Sequence, residues 1–162
     1  MDLNIIFWFI TAASSIRDSK FSLRSFILHN VNAYVKMITI ETSTVEFEQS
    51  TFSNIFTEAI YILESFGSNL TFKNSSFSFF YPILLYATYT NLNITFCNFS
   101  DSLQSQSYYF PTSSISAEYS VSFNITDCRF ENLLSSSSGS VKIFFTLINF
   151  WKRPYIWAKF MT

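Results

Sequence analysis

Residues 70–78 read LTFKNSSFS, and these nine residues contain the pattern that predicts the fold. It places an apolar residue, one spacer, a second apolar residue and four more spacers before a phenylalanine. The same phrase recurs as VEFEQSTF at 45–52, LNITFCNF at 92–99 and FNITDCRF at 123–130. Its closing phenylalanine returns after 25, 22 and 31 residues. A period in this range is typical of stacked structural repeats rather than of one globular core.

The alternation of apolar and other residues inside each phrase indicates short strands that bury one face. If successive coils stack in register about 4.8 Å apart, equivalent residues form columns along the stack. The closing phenylalanines then make a core stack of four rings: Phe52, Phe77, Phe99 and Phe130. We therefore predict an all-β fold, a short right-handed parallel β-helix (solenoid) of about four to five coils.

The bends between these strands must form almost without glycine, which occurs only at Gly67 and Gly139. Asn, Asp and Ser tolerate the left-handed backbone that a bend requires. Residues of these types follow the closing phenylalanines, as at Asn54, Asp101 and Asn132. We expect them to bond to one another along a ladder at one corner of the coil.

Three segments divide the 162 residues. Residues 1–15 are a candidate signal peptide or a first strand, because the apolar run Leu3–Ala13 precedes small residues but lacks a basic leader. Residues 16–150 form the parallel β-helix repeat domain, and residues 151–162 form a C-terminal tail. Neither terminus offers the polar cap that usually ends a repeat array. This favours a fragment of a larger extracellular repeat protein and predicts end-to-end self-association.

Composition narrows the classes of partner. Charged residues make up 13% of the chain and aromatic residues 20%, and the formal net charge is -1. The chain has no basic stripe that could neutralise a run of phosphates, so we expect no nucleic-acid partner. Contact with a membrane is expected only through the apolar termini.

Five Asn-x-Ser/Thr sequons support a secreted or cell-surface location, although a chain this rich in Asn, Ser and Thr acquires some by chance. The candidate N-glycosylation residues are Asn69, Asn74, Asn93, Asn98 and Asn124.

Cys97 and Cys128 occupy one column, two places before Phe99 and Phe130, where other coils have serine. Neighbouring coils would bring their Cα atoms within disulfide range, although parallel neighbours point their Cβ atoms side by side. Two interpretations stay open: a disulfide in an oxidising compartment, or a stack of buried thiols.

The sequence supplies no catalytic, cofactor or metal set. His29 stands alone, without a Cys, Asp or Glu at a spacing that would complete a zinc site or a triad. The outward rows beside the first strand of each phrase are mostly neutral, which favours a solvent-facing sheet over a carbohydrate-gripping face. The first of these rows is Glu46, Thr71, Asn93 and Asn124.

The four phrases resemble the right-handed parallel β-helix repeats of the pectin-lyase-like superfamily. The stretches that carry the resemblance are 45–54, 70–78, 92–102 and 123–132. The resemblance implies the fold more directly than a function. Family members that cleave polysaccharides cluster acidic or basic residues on neighbouring coils, often with calcium, and nothing here matches that set.

We therefore expect a non-enzymatic extracellular or cell-surface module, of structural or adhesion type, that presents its β-helix surface to glycans or proteins. The alternative is a polysaccharide-active enzyme of the pectin-lyase type, or a remnant of one. Turnover of a glycan that depends on an acidic residue such as Asp101 would favour that alternative.

Overall fold

A computed structural model of the chain describes residues 2–6, 14–33, 37–102, 115–119, 122–133 and 141–144. Every regular element in those ranges is a β-strand. The strands are β1 (Asp2–Ile6), β2 (Ser14–Arg17), β3 (Lys20–Ala33), β4 (Ile38–Glu41), β5 (Thr44–Glu48), β6 (Thr51–Phe66), β7 (Asn69–Lys73), β8 (Ser76–Thr88), β9 (Asn91–Thr95), β10 (Asn98–Ser100), β11 (Ile115–Glu118), β12 (Phe123–Thr126), β13 (Arg129–Glu131) and β14 (Val141–Phe144).

These strands pair in parallel with the strands of the next coil, and the pairing defines three sheets. Sheet 1 contains β2, β4, the ends of β6 and β8, β11 and β14. Sheet 2 contains the start of β3, then β5, β7, β9 and β12. Sheet 3 contains β1, the middle of β3, the starts of β6 and β8, β10 and β13.

The architecture is therefore a parallel β-solenoid, and the predicted all-β fold class is confirmed. The solenoid has about three turns, where the sequence predicted about four to five coils, and residues 37–102 are described without a break. The long strands β3, β6 and β8 pass from one sheet to the next through bends. The domain limits at residues 15 and 150 stay predictions, as does the tail, because residues 145–162 lie outside the described ranges.

Each corner of the coil is a residue with positive φ. Corner 1, between sheets 1 and 2, consists of Asp18, Thr42, Gly67, Tyr89 and Tyr119. Corner 2, between sheets 2 and 3, consists of Ser25, Gln49, Asn74, Phe96 and Asp127. Corner 3, at the end of sheet 3, consists of Asn30, Asn54, Phe79, Asp101 and Asn132. The expected ladder forms in two parts at corner 3, where Asn54 Nδ2 donates to Asn30 Oδ1 at 3.0 Å and Asn132 Nδ2 donates to Asp101 Oδ1 at 3.0 Å. Phe79 interrupts it between Asn54 and Asp101.

A buried hydroxyl follows many of these corners and satisfies the backbone that the bend leaves unpaired. Ser50 Oγ donates to the Glu48 carbonyl at 3.1 Å, and Ser75 Oγ donates to the Lys73 carbonyl at 3.0 Å. The Ser50 N–H in turn donates to Ser75 Oγ at 3.1 Å. Each hydroxyl therefore links its own corner to the coil below, which removes the cost of burying unpaired polar groups.

The core consists of side chains from all three sheets, and phenylalanine rings dominate it. The rings of Phe52 and Phe77 lie 4.9 Å apart, those of Phe77 and Phe99 4.7 Å, and those of Phe99 and Phe130 4.8 Å. Their interplanar angles are 17°, 8° and 4°. These rings are at most 5% exposed, so a continuous dry stack runs along the solenoid. A coil cannot bury this face alone, which couples neighbouring coils.

Candidate binding surface

The outward face of sheet 1 brings together two tyrosines and two glutamates, which we call the tyrosine cluster: Tyr61, Glu64, Tyr86 and Glu118. The rings of Tyr61 and Tyr86 are stacked, with centroids 4.2 Å apart and an interplanar angle of 8°. The Tyr86 hydroxyl donates to Glu118 Oε2 at 3.0 Å. Glu64 is the register partner of Tyr86 on the preceding coil. Three consecutive coils thus contribute to one polar and aromatic surface.

This environment favours the neutral form of both phenols. Burial raises the pKa of Tyr61 above its usual value, and the neighbouring Tyr86, Glu118 and Glu64 raise it further. Burial is also the largest cause of the raised pKa of Tyr86, to which Glu118 adds. Both hydroxyl groups therefore keep their protons at neutral pH and remain hydrogen-bond donors.

Three exposed aromatic side chains continue this surface along corner 1, and we call them the aromatic edge: Phe66, Tyr89 and Tyr119. They are 50%, 53% and 45% exposed. Phe66 and Tyr89 meet edge to face with centroids 5.6 Å apart, and Tyr89 and Tyr119 are stacked at 5.5 Å. The aromatic edge is therefore a continuous row over three coils that water reaches from outside.

The backbone under two of these residues is unfavourable. Tyr89 and Tyr119 both have a φ of 51°, a left-handed conformation that costs a residue with a Cβ about 1 to 2 kcal/mol. The same column has Gly67 in the preceding coil, which adopts this φ without the cost. Phe79 and Phe96 repeat this pairing of an exposed aromatic with a positive φ, but each is alone in its column. The fold requires a positive φ at corner 1 in every coil, but it does not require an exposed aromatic side chain there, since Asp18, Thr42 and Gly67 occupy the equivalent positions.

The two cysteines take the place of serine in the corner ladder. The Cys97 N–H donates to Cys128 Sγ at 3.4 Å, and each thiol donates to a carbonyl two residues earlier, at Thr95 and Thr126. The hydrogen bond to Cys128 and the burial of the site both raise the pKa of the Cys97 thiol. Both cysteines are free and buried in this structure. A bridge between them in an oxidising compartment stays a prediction.

The sequons fall into two groups by exposure. Asn69 and Asn74 are exposed, whereas Asn93, Asn98 and Asn124 are half-buried. Asn74 is a corner residue with a φ of 49°. Asn98 Oδ1 is buried and has no partner among the described residues. Glycosylation at the five positions stays a prediction, and Asn69 and Asn74 present their side chains to solvent best.

His29 and Asp101, which the sequence analysis considered for catalysis or metal binding, lie apart from each other in structural hydrogen bonds. His29 Nδ1 lies 2.6 Å from Ser53 Oγ, and Asp101 accepts the corner bond from Asn132. In the described part of the chain, no group of three or more His, Cys, Asp or Glu residues could hold a metal ion. The same residues contain no helix long and apolar enough to cross a membrane.

Sequence reasoning missed the tyrosine cluster and did not distinguish the aromatic edge. The segments that carry them follow the closing phenylalanine of each phrase and lie outside the repeated pattern. Their alignment could not be predicted, because the register offset between β6 and β8 changes from 25 residues at Phe56 and Tyr81 to 22 residues at Tyr61 and Ile83. A search for exposed aromatics at corner positions, rather than for apolar periodicity, would have found Tyr89 and Tyr119.

Comparison with known proteins adds little to this geometry. No protein-family model matches the chain, and no curated protein matches it. A solved structure from Parabacteroides merdae ATCC 43184, of a provisionally assigned glycosyl hydrolase, is similar with a TM-score of 0.45 and 8% sequence identity. The similarity covers 84% of this chain and 83% of that one. The strand pairing alone establishes the fold, and this similarity supports no statement about the chemistry of the chain.

Proposed function

We propose that this chain is a non-enzymatic repeat module of structural or adhesion type, secreted or displayed at a cell surface, that presents its solenoid surface to glycans or proteins. The resemblance to pectin-lyase-like repeats and the five sequons support this setting. The observation that carries the proposal is the aromatic edge. Tyr89 and Tyr119 are exposed, adjacent and held in a backbone conformation that costs folding free energy.

Aromatic side chains of this kind are effective at interfaces. Tyrosine buries a large apolar area and loses little conformational entropy, and its hydroxyl group can still bond to a polar partner. Truncating a central interface tyrosine commonly costs about 2 kcal/mol or more of binding free energy. A row over three coils also suits an extended partner that lies along the solenoid axis, because it offers equivalent contacts at each coil.

Binding to a panel of immobilised ligands tests the proposal. The panel contains polygalacturonate and purified cell-surface proteins. The test variant is Tyr89→Asn combined with Tyr119→Asn, which removes both rings and relieves both left-handed tyrosines. Phe79→Asn is the matched control, because Phe79 is 47% exposed with a φ of 50° at a different corner.

We expect the double tyrosine variant to lose binding at least about tenfold, equivalent to about 1.4 kcal/mol, while Phe79→Asn binds as the natural chain does. Equal losses in the two proteins, or no loss in either, would overturn the role of the aromatic edge. Binding to no member of the panel would count against the module itself.

The tyrosine cluster favours a second candidate, a polysaccharide-active enzyme. Glu64 is the register partner of Tyr86 on the preceding coil, and Glu118 on the following coil accepts a hydrogen bond from the Tyr86 hydroxyl; a pair of carboxylates is the usual machinery for cleaving a glycosidic bond. Release of new chain ends from polygalacturonate or related glycans would reveal turnover. Turnover that disappears in Glu118→Gln would replace the non-enzymatic proposal, whereas intact polymers after prolonged incubation would support it.

A further inference from the structure

A groove of about 470 Å³ lies on the outward face of sheet 2. Its polar walls come from three consecutive coils through β7, β9 and the start of β12. We call it the amide groove, and its polar lining residues are Asn69, Thr71, Asn91, Asn93, Ser122 and Asn124. The volume falls within the range of pockets that hold small organic ligands.

Hydrogen bonds between coils fix the orientation of the amides in the first row of the groove. Asn91 Nδ2 donates to Asn69 Oδ1 at 2.7 Å, and Ser122 Oγ donates to Asn91 Oδ1 at 3.2 Å. Asn69 Nδ2 lies 3.4 Å from Thr44 Oγ1 and donates to it. This row is preorganised, because its side chains need not change rotamer when a ligand arrives.

The second row keeps hydrogen-bonding capacity that points into the groove. Asn124 Nδ2 donates to Asn93 Oδ1 at 2.9 Å, which leaves the Nδ2 group of Asn93 as a donor. Thr71 is the register partner of Asn93. Neither the Thr71 hydroxyl nor Asn93 Nδ2 has a hydrogen-bond partner within the described residues. The centre of the groove thus offers adjacent amide and hydroxyl groups to a ligand.

Strand chemistry alone does not account for so many asparagines. Asparagine is depleted in strands, where threonine and valine pack better on the pleated surface. At the corners of this fold asparagine relieves backbone strain, but Asn69, Asn91, Asn93 and Asn124 lie within β7, β9 and β12. Asn69 and Asn91 are the first residues of their strands, and the bond between them joins two coils. Asn93 and Asn124 lie inside β9 and β12, where an outward asparagine costs stability that a binding role would offset.

The groove has no charged lining residue among those described, so it offers a charged ligand no ion pair to offset the cost of removing that charge from water. Donors and acceptors alternate along the solenoid axis, at the 4.7 to 4.9 Å spacing of neighbouring strands. Such a surface matches a chain that carries many hydroxyl groups and no charge. We propose that the amide groove, where its asparagines carry no N-glycan, binds an uncharged glycan chain that lies along the solenoid axis across β7, β9 and β12. Asn69, Asn93 and Asn124 are sequon residues, so a glycan attached there would occupy the groove and exclude this ligand. The groove proposal deepens the proposed function, on which it rests, by naming one site and one class of glycan.

Titration of the chain, purified from a host that adds no N-glycans, with neutral hexasaccharides of glucose and of mannose, and with a charged hexasaccharide of galacturonate, tests the site. The host matters because Thr71 and Thr95 complete the sequons of Asn69 and Asn93. Side-chain amide resonances of Asn69, Asn91 and Asn93 report binding in the groove directly. The test variant is Thr71→Val, which keeps shape and strand preference and removes one hydroxyl group. Thr95→Val is the matched control, because Thr95 lies on the same sheet but outside the groove.

We expect at least one neutral hexasaccharide to shift these resonances, Thr71→Val to weaken its binding about five- to tenfold, and Thr95→Val to change it less than twofold. The galacturonate hexasaccharide should bind more weakly than the neutral one. Absence of shifts with every neutral sugar, equal effects of the two valine variants, or preference for the charged sugar would overturn the proposal.

The double variant Tyr89→Asn and Tyr119→Asn separates this site from the aromatic edge. We expect neutral sugars to bind its amide groove with unchanged affinity. If groove binding fails while the aromatic edge still binds a partner from the panel, the groove proposal is wrong and the proposed function stands. If neutral sugars bind the groove and no partner from the panel binds the aromatic edge, the role of the aromatic edge is wrong and the groove proposal stands.

Discussion

Replacement of a phenylalanine in the core stack should cost more in the middle of the stack than at its end. Phe77 and Phe130 are both buried, at 1% and 5% exposure, so Phe→Leu removes similar apolar area at each. Their ring contacts differ. Phe77 contacts Phe52, Phe72 and Phe99 at centroid distances of 4.9, 5.2 and 4.7 Å. Among the described residues, Phe130 contacts only Phe99, at 4.8 Å.

Each aromatic pair contributes about 0.5 to 1.5 kcal/mol beyond its buried area. Two additional pairs therefore predict that Phe77→Leu lowers the free energy of unfolding by about 1 to 3 kcal/mol more than Phe130→Leu. Urea unfolding followed by circular dichroism measures the difference, provided that the two variants share the same m-value. Equal losses, or a larger loss at Phe130, would refute the idea that stacked rings couple neighbouring coils.

Ionisation of the tyrosine cluster should destabilise the chain at high pH. Because the folded state raises the pKa of Tyr61 and Tyr86 above the ordinary value of 10.0, their stabilising contribution is complete below that pH and is lost as the pH rises through the folded values. The variant with Tyr61→Phe and Tyr86→Phe should lose less stability above about pH 10 in urea titrations, and an equal loss would remove the tyrosines as the cause. At Cys97, serine should be tolerated within about 1 kcal/mol because it can donate to the Thr95 carbonyl as the thiol does, whereas Cys97→Val should cost about 1 to 3 kcal/mol. Thermal unfolding of both variants measures this, and equal midpoints would show that the corner hydrogen bonds contribute nothing.

The phenylalanine columns were predictable from sequence because the phrase has a fixed internal length. In every copy the second apolar residue precedes the closing phenylalanine by five positions, so Phe72 and Phe77 repeat in Ile94 and Phe99. Any register that buries one of these positions buries the others. The polar bend after the closing phenylalanine was predictable for the same reason.

The two binding surfaces were harder to predict, for different physical reasons. Sheet 1 follows a stretch of variable length, and a register shift after Phe56 breaks the simple period. The strained aromatics also contradict local preference, since bulky residues seldom adopt the left-handed region. In the amide groove, the outward row Thr71, Asn93 and Asn124 was identified from sequence and interpreted as a solvent-facing sheet. The concave shape of the groove depends on how three coils stack, and the sequence of one row does not show that stacking.

Both proposed surfaces exist only if equivalent residues of successive coils are stacked in register. Proton–proton NOEs between neighbouring strands test this stacking directly. On a labelled sample, inter-strand backbone NOEs should join Leu70 with Leu92 on sheet 2 and Phe77 with Phe99 on sheet 3, as the parallel pairing requires. NOEs that instead join Leu70 to residue 91 or 93 would contradict the fold, because a slip of one residue moves each buried side chain to the outer face.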